Sequence, residues 1–168
     1  MSPKEFNERL TSIEAEFKEF FAKTAPTIAG EVAVRLFKQN FQDEGFFGEK
    51  WLEVKRRMSG TKAYRAAELH HPADHSRKIL TGRTADLGRS IEVKSAGDGR
   101  AVVWTNPSAF SSKEPYGRVH NEGLRAGRGA GFTMPRRQFI GDHAKLRAAI
   151  TEELQKKLSE IIKKQRMS

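Results

Sequence analysis

Apolar residues at both ends of the chain recur with the 3.6-residue period of an amphipathic α-helix, and this pattern limits the possible folds. In the first segment these residues are Phe6, Leu10, Ile13, Phe17, Phe20 and Phe21. Ser2, with Glu5 three residues later, predicts a capping box at the start of the first helix. The last segment predicts a C-terminal helix over residues 142–165, with Asp142 as its N-cap.

A second helix is predicted to begin near Thr24, because Pro26 is tolerated in a first turn, where its missing N–H costs least. This helix is expected to end near residues 40–45, so that a helical N-terminal region covers residues 1–42. Two helices joined by so short a link are expected to form either a helical hairpin or one kinked rod.

The apolar period changes to two in the middle of the chain, which predicts a β-hairpin. The hairpin consists of a strand from Ile91, a turn at Gly97-Asp98-Gly99 and a return strand over residues 101–105. Because a two-stranded hairpin is marginal alone, further strands or a neighbouring subunit are expected to complete the sheet.

The remaining segments give weaker patterns. Helices are predicted over residues 61–71, where Pro72 ends the pattern, and over residues 80–91, while residues 116–120 fit a strand or a helical turn. The order of elements predicts an α+β fold, with N-terminal helices and a long C-terminal helix packed on a small antiparallel sheet. A length of 168 residues fits a single domain over residues 1–168, in which residues 77–141 hold the hairpin and the basic Gly/Arg loop.

Composition excludes several classes of protein. The chain has no cysteine, so a disulfide framework, a thiolate zinc site and a cysteine nucleophile are excluded. No apolar run reaches the roughly 18 residues of a membrane helix, and the N-terminus has no signal-peptide core. We therefore expect a soluble, basic protein made in a reducing cytoplasm.

The net charge of +10 is concentrated in the middle of the chain. Residues 77–137 carry 12 Lys and Arg against 5 Asp and Glu, a net charge of +7, whereas residues 1–76 are neutral. Residues 123–131 hold four glycines and two arginines, which predicts a mobile, exposed loop. An acidic protein surface and nucleic acid are both possible partners of this segment. The candidate interface residues are Arg118, Arg125, Arg128, Arg136 and Arg137.

Three patterns superficially resemble sites of chemistry. His70, His71, Asp74 and His75 are the only cluster with metal-ligand residue types, but Pro72 prevents them from sharing one helix face. The glycines at 127–131 lack the Lys-Ser/Thr that completes a phosphate-binding loop. No nucleophile-elbow pattern surrounds Ser108, Ser111 or Ser112. We expect no cofactor, no metal and no enzymatic activity, and a hydrolase or metalloprotein built on residues 70–75 is the weakest hypothesis.

Four groups of residues follow one another in the order found in a known family. The groups are Gly48 and Trp51; Ile79-Leu80-Thr81-Gly82 with Leu87 and Ser90-Ile91; Tyr116 to Gly123; and Pro135 to Gly141. With the helical region before them, they resemble the phage virion-morphogenesis or tail-completion proteins of Mu-like and related tailed phages. The resemblance covers residues 35–165. The chain departs from it at Gly117, where the family prefers Ala, and at residues 107–115, which are longer than usual.

The resemblance implies a structural protein of the virion that is assembled in the bacterial host cytoplasm. It implies an oligomeric ring, six subunits in the family, that acts in tail completion or the neck and joins the tail to the head. The implied partners are the head connector and tail tube or terminator proteins, with possible non-specific contact with DNA and none with a membrane. The implied structural anchors are Trp51, Gly82, Leu87, Gly123 and Phe139. The alternative function is sequence-independent nucleic-acid binding by residues 77–137.

Overall fold

The N-terminal region is helical without interruption in the computed structural model, which describes residues 2–110, 116–127 and 129–167. Helix α1 (Pro3–Glu19) continues into a π-helical segment (Phe20–Thr24) and then into α2 (Ala25–Asp43). The alternative of a helical hairpin is therefore wrong, because no turn separates the two helices. The predicted capping box is confirmed: the Glu5 N–H donates to Ser2 Oγ at 3.2 Å and the Ser2 N–H donates to Glu5 Oε2 at 2.6 Å.

The π-helical segment lies where Pro26 disturbs the helix. The Ala25 N–H donates to the Phe20 carbonyl, five residues earlier, as in a π-helix. Pro26 has no N–H to offer the Ala22 carbonyl, four residues earlier. That carbonyl instead accepts a hydrogen bond from the Gly99 N–H at 3.3 Å. The proline thus frees a helix carbonyl that binds the turn of the central hairpin.

The rest of the chain consists of short elements and one long terminal helix. The strands are β1 (Gly45–Phe46), β2 (Glu49–Lys50), β3 (Ile91–Gly97), β4 (Arg100–Thr105), β5 (Arg125–Ala126) and β6 (Phe132–Thr133). The helices are α3 (Lys62–His70), α4 (Asp86–Arg89), α5 (Gly117–Glu122) and α6 (Ala144–Met167). Single 3₁₀ turns occur at Lys55–Arg57, Pro72–His75 and Pro107–Ala109. The architecture is α+β, as predicted.

The predicted hairpin is confirmed as β3 and β4. Its turn places Asp98 and Gly99 at φ angles of +49° and +73°, the left-handed conformation that two-residue hairpin turns require. In the part of the chain that the structure describes, β1–β2, β3–β4 and β5–β6 are separate two-stranded sheets. No further strand therefore joins β3 or β4 within these residues.

The contacts of the chain form two compact units, each built from separate stretches of sequence. Unit 1 consists of Met1–Val34, Val93–Val103 and Asp142–Ser168, and unit 2 consists of Arg35–Glu92 and Trp104–Gly141. The segments of the two units alternate in sequence, so a single cut in the chain cannot separate them. The single domain over residues 1–168 stays a prediction. None of the described helices is long and apolar enough to cross a membrane.

Unit 1 packs its part of the hairpin closely on α2. A Cβ atom on Gly30 would lie 2.9 Å from Val93 Cγ2 and 3.5 Å from Ala101 Cβ, so the glycine permits this close approach. The terminal helix α6 begins at Ala144 and not at Asp142, which corrects the predicted N-cap. His143 Nδ1 accepts from the Lys145 N–H at 3.1 Å, while the Asp142 carboxylate pairs with Arg147.

Unit 2 contains an aromatic core in which three of the predicted anchors are buried. The Phe41 ring lies 5.1 Å from Phe139 and 5.6 Å from Trp51, and Leu87 is fully buried. The helix predicted over residues 61–71 is confirmed as α3. The helix predicted over residues 80–91 is reduced to the single turn of α4, because Leu80 and Ala85 have positive φ angles of 61° and 56° that α-helices do not accept.

Candidate interaction surface

The last of the family-like motifs, residues 135–141, lies at the centre of unit 2 and is fixed through its backbone. Asn121 Oδ1 accepts from the Phe139 N–H at 2.9 Å and from the Ile140 N–H at 3.0 Å. Asn40 Nδ2 donates to the Phe139 carbonyl at 3.1 Å, and Trp51 Nε1 donates to the Gln138 carbonyl at 2.7 Å. Side chains from three distant segments thus give this strand-like stretch the hydrogen bonds that a sheet would supply.

Arg137 differs from the other candidate interface residues that the structure describes, because only 6% of its surface is exposed. Its Nε and one terminal nitrogen donate to the Leu52 carbonyl at 3.1 and 3.0 Å, and its N–H donates to the His120 carbonyl at 2.8 Å. Burial lowers the pKa of the Arg137 guanidinium. Its role in this structure is to hold unit 2 together, so we leave it out of the candidate surface.

The segment before this motif turns at Gly123, which ends α5. Gly123 has a φ angle of +72°, and its N–H donates to the Val119 carbonyl at 3.0 Å. A Cβ atom at this position would lie 3.0 Å from Arg136 Cβ and 3.2 Å from Arg136 Cα. Both the left-handed backbone and the close approach of Arg136 therefore favour glycine. Gly82, the other predicted glycine anchor, also has a positive φ angle, +57°.

The predicted loop over residues 123–131 includes part of a small hairpin. Arg125 pairs with Thr133 and Ala126 pairs with Phe132 in the β5–β6 register. Met134 donates its N–H to the Leu124 carbonyl at 3.0 Å, which extends the pairing by one step. The Arg125 side chain turns back and donates to the Ala130 carbonyl. Arg128 lies outside the described residues.

This hairpin, the residues next to it and helix α5 carry several exposed basic and apolar side chains. Phe132 has 56% of its surface exposed, an unusual position for a phenylalanine outside an interface. Arg118, on α5, pairs with Glu122 across one helical turn, while Arg136 donates to the Gln138 side chain. We define the hairpin surface as Arg118, Leu124, Arg125, Phe132 and Arg136, all of which are exposed.

His120, on α5, is part-buried, and its surroundings favour the neutral imidazole. Burial lowers the pKa of its imidazole, and the positive charge of Arg137 lowers that pKa further. The His120 ring meets the Tyr116 ring edge-to-face at 5.8 Å, and burial raises the pKa of the Tyr116 hydroxyl. Protonation of His120 would therefore put a second positive charge beside a buried arginine.

Replacing His120 with Gln is expected to make the stability of the protein less dependent on pH. The folded-state pKa of His120 is lowered, so unfolding takes up a proton below about pH 6.5, and stability falls as the pH falls. At mildly acidic pH, unfolding of the variant should therefore take up fewer protons than unfolding of the wild-type chain, by at most one proton. Denaturant titrations between pH 7.5 and pH 5 measure this difference. The exposed His71→Gln variant is the control, and an unchanged pH dependence in His120→Gln would contradict the prediction.

The other sequence candidates have structural partners. His75 Nδ1 lies 2.8 Å from the Arg56 carbonyl oxygen, and Asp74 pairs with Arg77 at 2.6 Å. Among the described residues, no group of three or more His, Asp or Glu side chains is arranged to hold a metal ion. The Ser108 N–H donates to Asn106 Oδ1 in the 3₁₀ turn, and Ser111 and Ser112 lie outside the described residues.

Sequence reasoning missed the polar residues that organise unit 2. Asn40 and Asn121 were not singled out, although Asn121 lies inside a motif of the family. Glu44 was also missed: it accepts two hydrogen bonds from Arg57, at 3.1 and 2.6 Å, and one from the Ile79 N–H at 2.5 Å. The hydrogen bond with Arg57 is the main cause of the lowered pKa of Glu44. The signal that could have identified Asn40 and Glu44 is an amide or a carboxylate side chain at the C-terminal end of a helix with an apolar stripe.

Comparison of the sequence with models of known protein families identifies a family that matches most of the chain. The model of the phage virion morphogenesis family matches residues 5–159 of this chain, which includes the hairpin surface and the motif at residues 135–141. No curated protein and no solved structure matches the chain.

Proposed function

The chain belongs to the phage virion morphogenesis family, and we propose that it is a tail-completion protein that joins the tail to the head connector. Membership of this family gives the chain a structural role in virion assembly and associates it with the virion. The proposal adds a place, the head–tail junction in the neck, and a form, a closed ring of identical subunits. Cyclic symmetry suits a protein at the end of a tubular tail, because each subunit can make the same contact around the axis.

The hairpin surface is the observation that supports this role. Arg118 on α5, with Arg125 and Arg136 on and after the β5–β6 hairpin, have exposed side chains, as do Phe132 and Leu124. Arginine and phenylalanine are enriched in protein–protein interfaces. A protein partner with an acidic, partly apolar surface, such as a connector or tail-tube protein, would complement both features.

The proposed function is binding and not catalysis. His120, the histidine of the family-like motif, is part-buried, and its carbonyl serves the packing of Arg137. Asn121 uses its side-chain oxygen to hold two backbone N–H groups. His120 and Asn121 thus have structural tasks, whereas the three arginines of the hairpin surface are exposed and bond other exposed or half-buried groups. We propose no cofactor for this role.

Reversing the charge of the hairpin surface tests the proposal. A phage lacking this protein is supplied with the R118E/R125E/R136E variant, and the particles are counted by electron microscopy. We expect unjoined heads and tails to accumulate, because three attractive contacts become repulsive. The matched control is K55E/K62E/R65E, which reverses three exposed charges elsewhere in unit 2. Normal joined particles with the first variant, or equal failure of both variants, would contradict this function for the surface.

The same arginines also support the alternative function, sequence-independent binding of nucleic acid. Neutralising about three phosphates predicts that affinity falls about 40-fold between 50 and 200 mM salt, since the slope is about −0.9 per phosphate. A gel-retardation series with duplex DNA across these salt concentrations measures that slope. Binding with this slope that R118E/R125E/R136E abolishes would favour the alternative, and no retardation at low salt would eliminate it.

A further inference from the structure

Helix α1 carries an apolar stripe whose first part, at Phe6 and Leu10, is left exposed by its own chain, while Ile13 and Phe17 are half-buried. Phe6 and Leu10, one turn apart on this stripe, have 48% and 49% of their surfaces exposed, and no residue of α1 is buried. Amphipathic helices of this length derive most of their stability from packing the apolar face against a partner. The periodicity predicts that this face packs against a partner, yet unit 1 leaves Phe6 and Leu10 half-exposed.

The contacts that α1 makes with α6 use another side of the helix. Arg9 donates to the Gln165 carbonyl, and the Gln165 side chain donates to the Glu16 carboxylate. Arg9 and Glu16 are seven residues apart and share one face. From the 3.6-residue repeat, that face is about 80° around the axis from the mean direction of the apolar stripe. The exposed part of the stripe, Phe6 and Leu10, is therefore free to meet another molecule while α1 stays on α6.

The charges of the two helices are complementary. Residues 3–19 of α1 carry five Glu against three Lys and Arg, a net charge of −2. Residues 144–165 of α6 carry six Lys and Arg against three Glu, a net charge of +3. Ile162, on α6, has 43% of its surface exposed, which provides an apolar contact beside these positive charges.

We propose that the apolar stripe of α1 packs on the Ile162 face of α6 in a second copy of this chain. The opposite charges favour this pairing over a two-fold pairing of α1 with α1, which would bring two acidic helices together. A contact between two different surfaces repeats from copy to copy and can close into a ring. The inference rests on the proposed role as a ring-forming assembly protein and names the surfaces through which the copies associate.

Sedimentation velocity of the full chain over a range of concentrations tests the interface. The F6E/L10E variant is expected to weaken self-association about 100-fold or more, because it puts two carboxylates in an apolar contact. Both residues are half-exposed, so the variant should fold normally. The matched control is L52E/L69E, which makes the same change at two leucines of unit 2 that are even more exposed. A monomeric wild-type chain at every concentration, unchanged association of F6E/L10E, or equal dissociation of the control would overturn the proposal.

A mixing experiment distinguishes the two possible pairings. F6E/L10E retains an intact α6 surface, and I162E retains an intact α1 surface. If α1 binds α6 of the neighbour, each variant alone is monomeric and the mixture forms dimers through its one intact interface. If I162E associates like the wild-type chain, or the mixture stays monomeric, the pairing of α1 with α6 is wrong. A monomeric chain that still joins heads to tails in the phage assay would overturn this inference while leaving the head–tail role in place.

Discussion

Replacing Phe139 with Ala is expected to lower the free energy of unfolding by about 3–5 kcal/mol, the usual range for a fully buried phenylalanine. The Phe139 ring is buried and lies 5.1 Å from the ring of Phe41. Its backbone is fixed on both sides by Asn40 and Asn121, so the surrounding chain cannot easily move into the space. Denaturation in urea or guanidinium chloride, followed by tryptophan fluorescence, measures the loss.

The control for this change is Phe132→Ala, which removes the same ring from an exposed position in the same unit. Its expected effect is within about 0.5 kcal/mol, as for most surface substitutions. The contrast separates the burial of a ring from the general loss of a phenylalanine. A loss below about 1 kcal/mol for Phe139→Ala would show that residue 139 is not a core anchor.

Asn40→Ala is expected to cost about 2–5 kcal/mol, a large effect for a polar residue. The buried Asn40 side chain donates to the Phe139 carbonyl at 3.1 Å and accepts from the Phe47 N–H at 3.0 Å. The variant removes the partner of the buried Phe139 carbonyl and of the part-buried Phe47 N–H, and a fully buried group that loses its partner costs about 1–3 kcal/mol. Asn40→Asp should also destabilise the protein, because a carboxylate cannot donate to the Phe139 carbonyl.

Gln39→Ala is the control for Asn40, because Gln39 is the preceding residue of the same helix and its amide bonds Asp43 on the surface. We expect an effect within about 0.5 kcal/mol. Asn121→Ala adds a further test, since Asn40 and Asn121 hold the two sides of residue 139. A double-mutant cycle should give a coupling energy of about 0.5–3 kcal/mol. Strict additivity would show that the two amides act independently.

Features governed by neighbouring residues could be predicted from the sequence. The capping box needs only Ser2 and Glu5, and the hairpin needs only a period of two around a turn that accepts positive φ angles. Both are local rules, and both are confirmed. The order of helices and strands then gave the α+β class, because such elements bury their apolar faces in few ways.

Features governed by distant contacts could not be predicted. Asn40 meets the Phe139 carbonyl 99 residues later, and Arg137 meets the Leu52 carbonyl 85 residues earlier. Charge alone suggested that Arg137 would lie on the surface with Arg136, its neighbour in sequence. In the structure the Arg136 side chain is exposed and the Arg137 side chain is buried. This difference arises because the fold brings the Leu52 carbonyl next to Arg137.

The apolar stripe of α1 shows a second limit of what the spacing of apolar residues can predict. Phe6 and Leu10 show that one face of the helix suits an apolar partner, and this inference needs no structure. The spacing of residues cannot specify whether the partner belongs to the same chain or to another copy. The exposure of the stripe turns this into a question about assembly, which the mixing experiment can answer.

The π-helical segment at Phe20–Thr24 has a consequence for how such proteins diverge. A π-turn holds one residue more than the α-helical path around it, so deleting one residue between 20 and 24 would remove this extra residue. Everything before it would then rotate by about 100° around the axis. A one-codon deletion would thus redirect Phe6 and Leu10 toward a different neighbour without changing either residue.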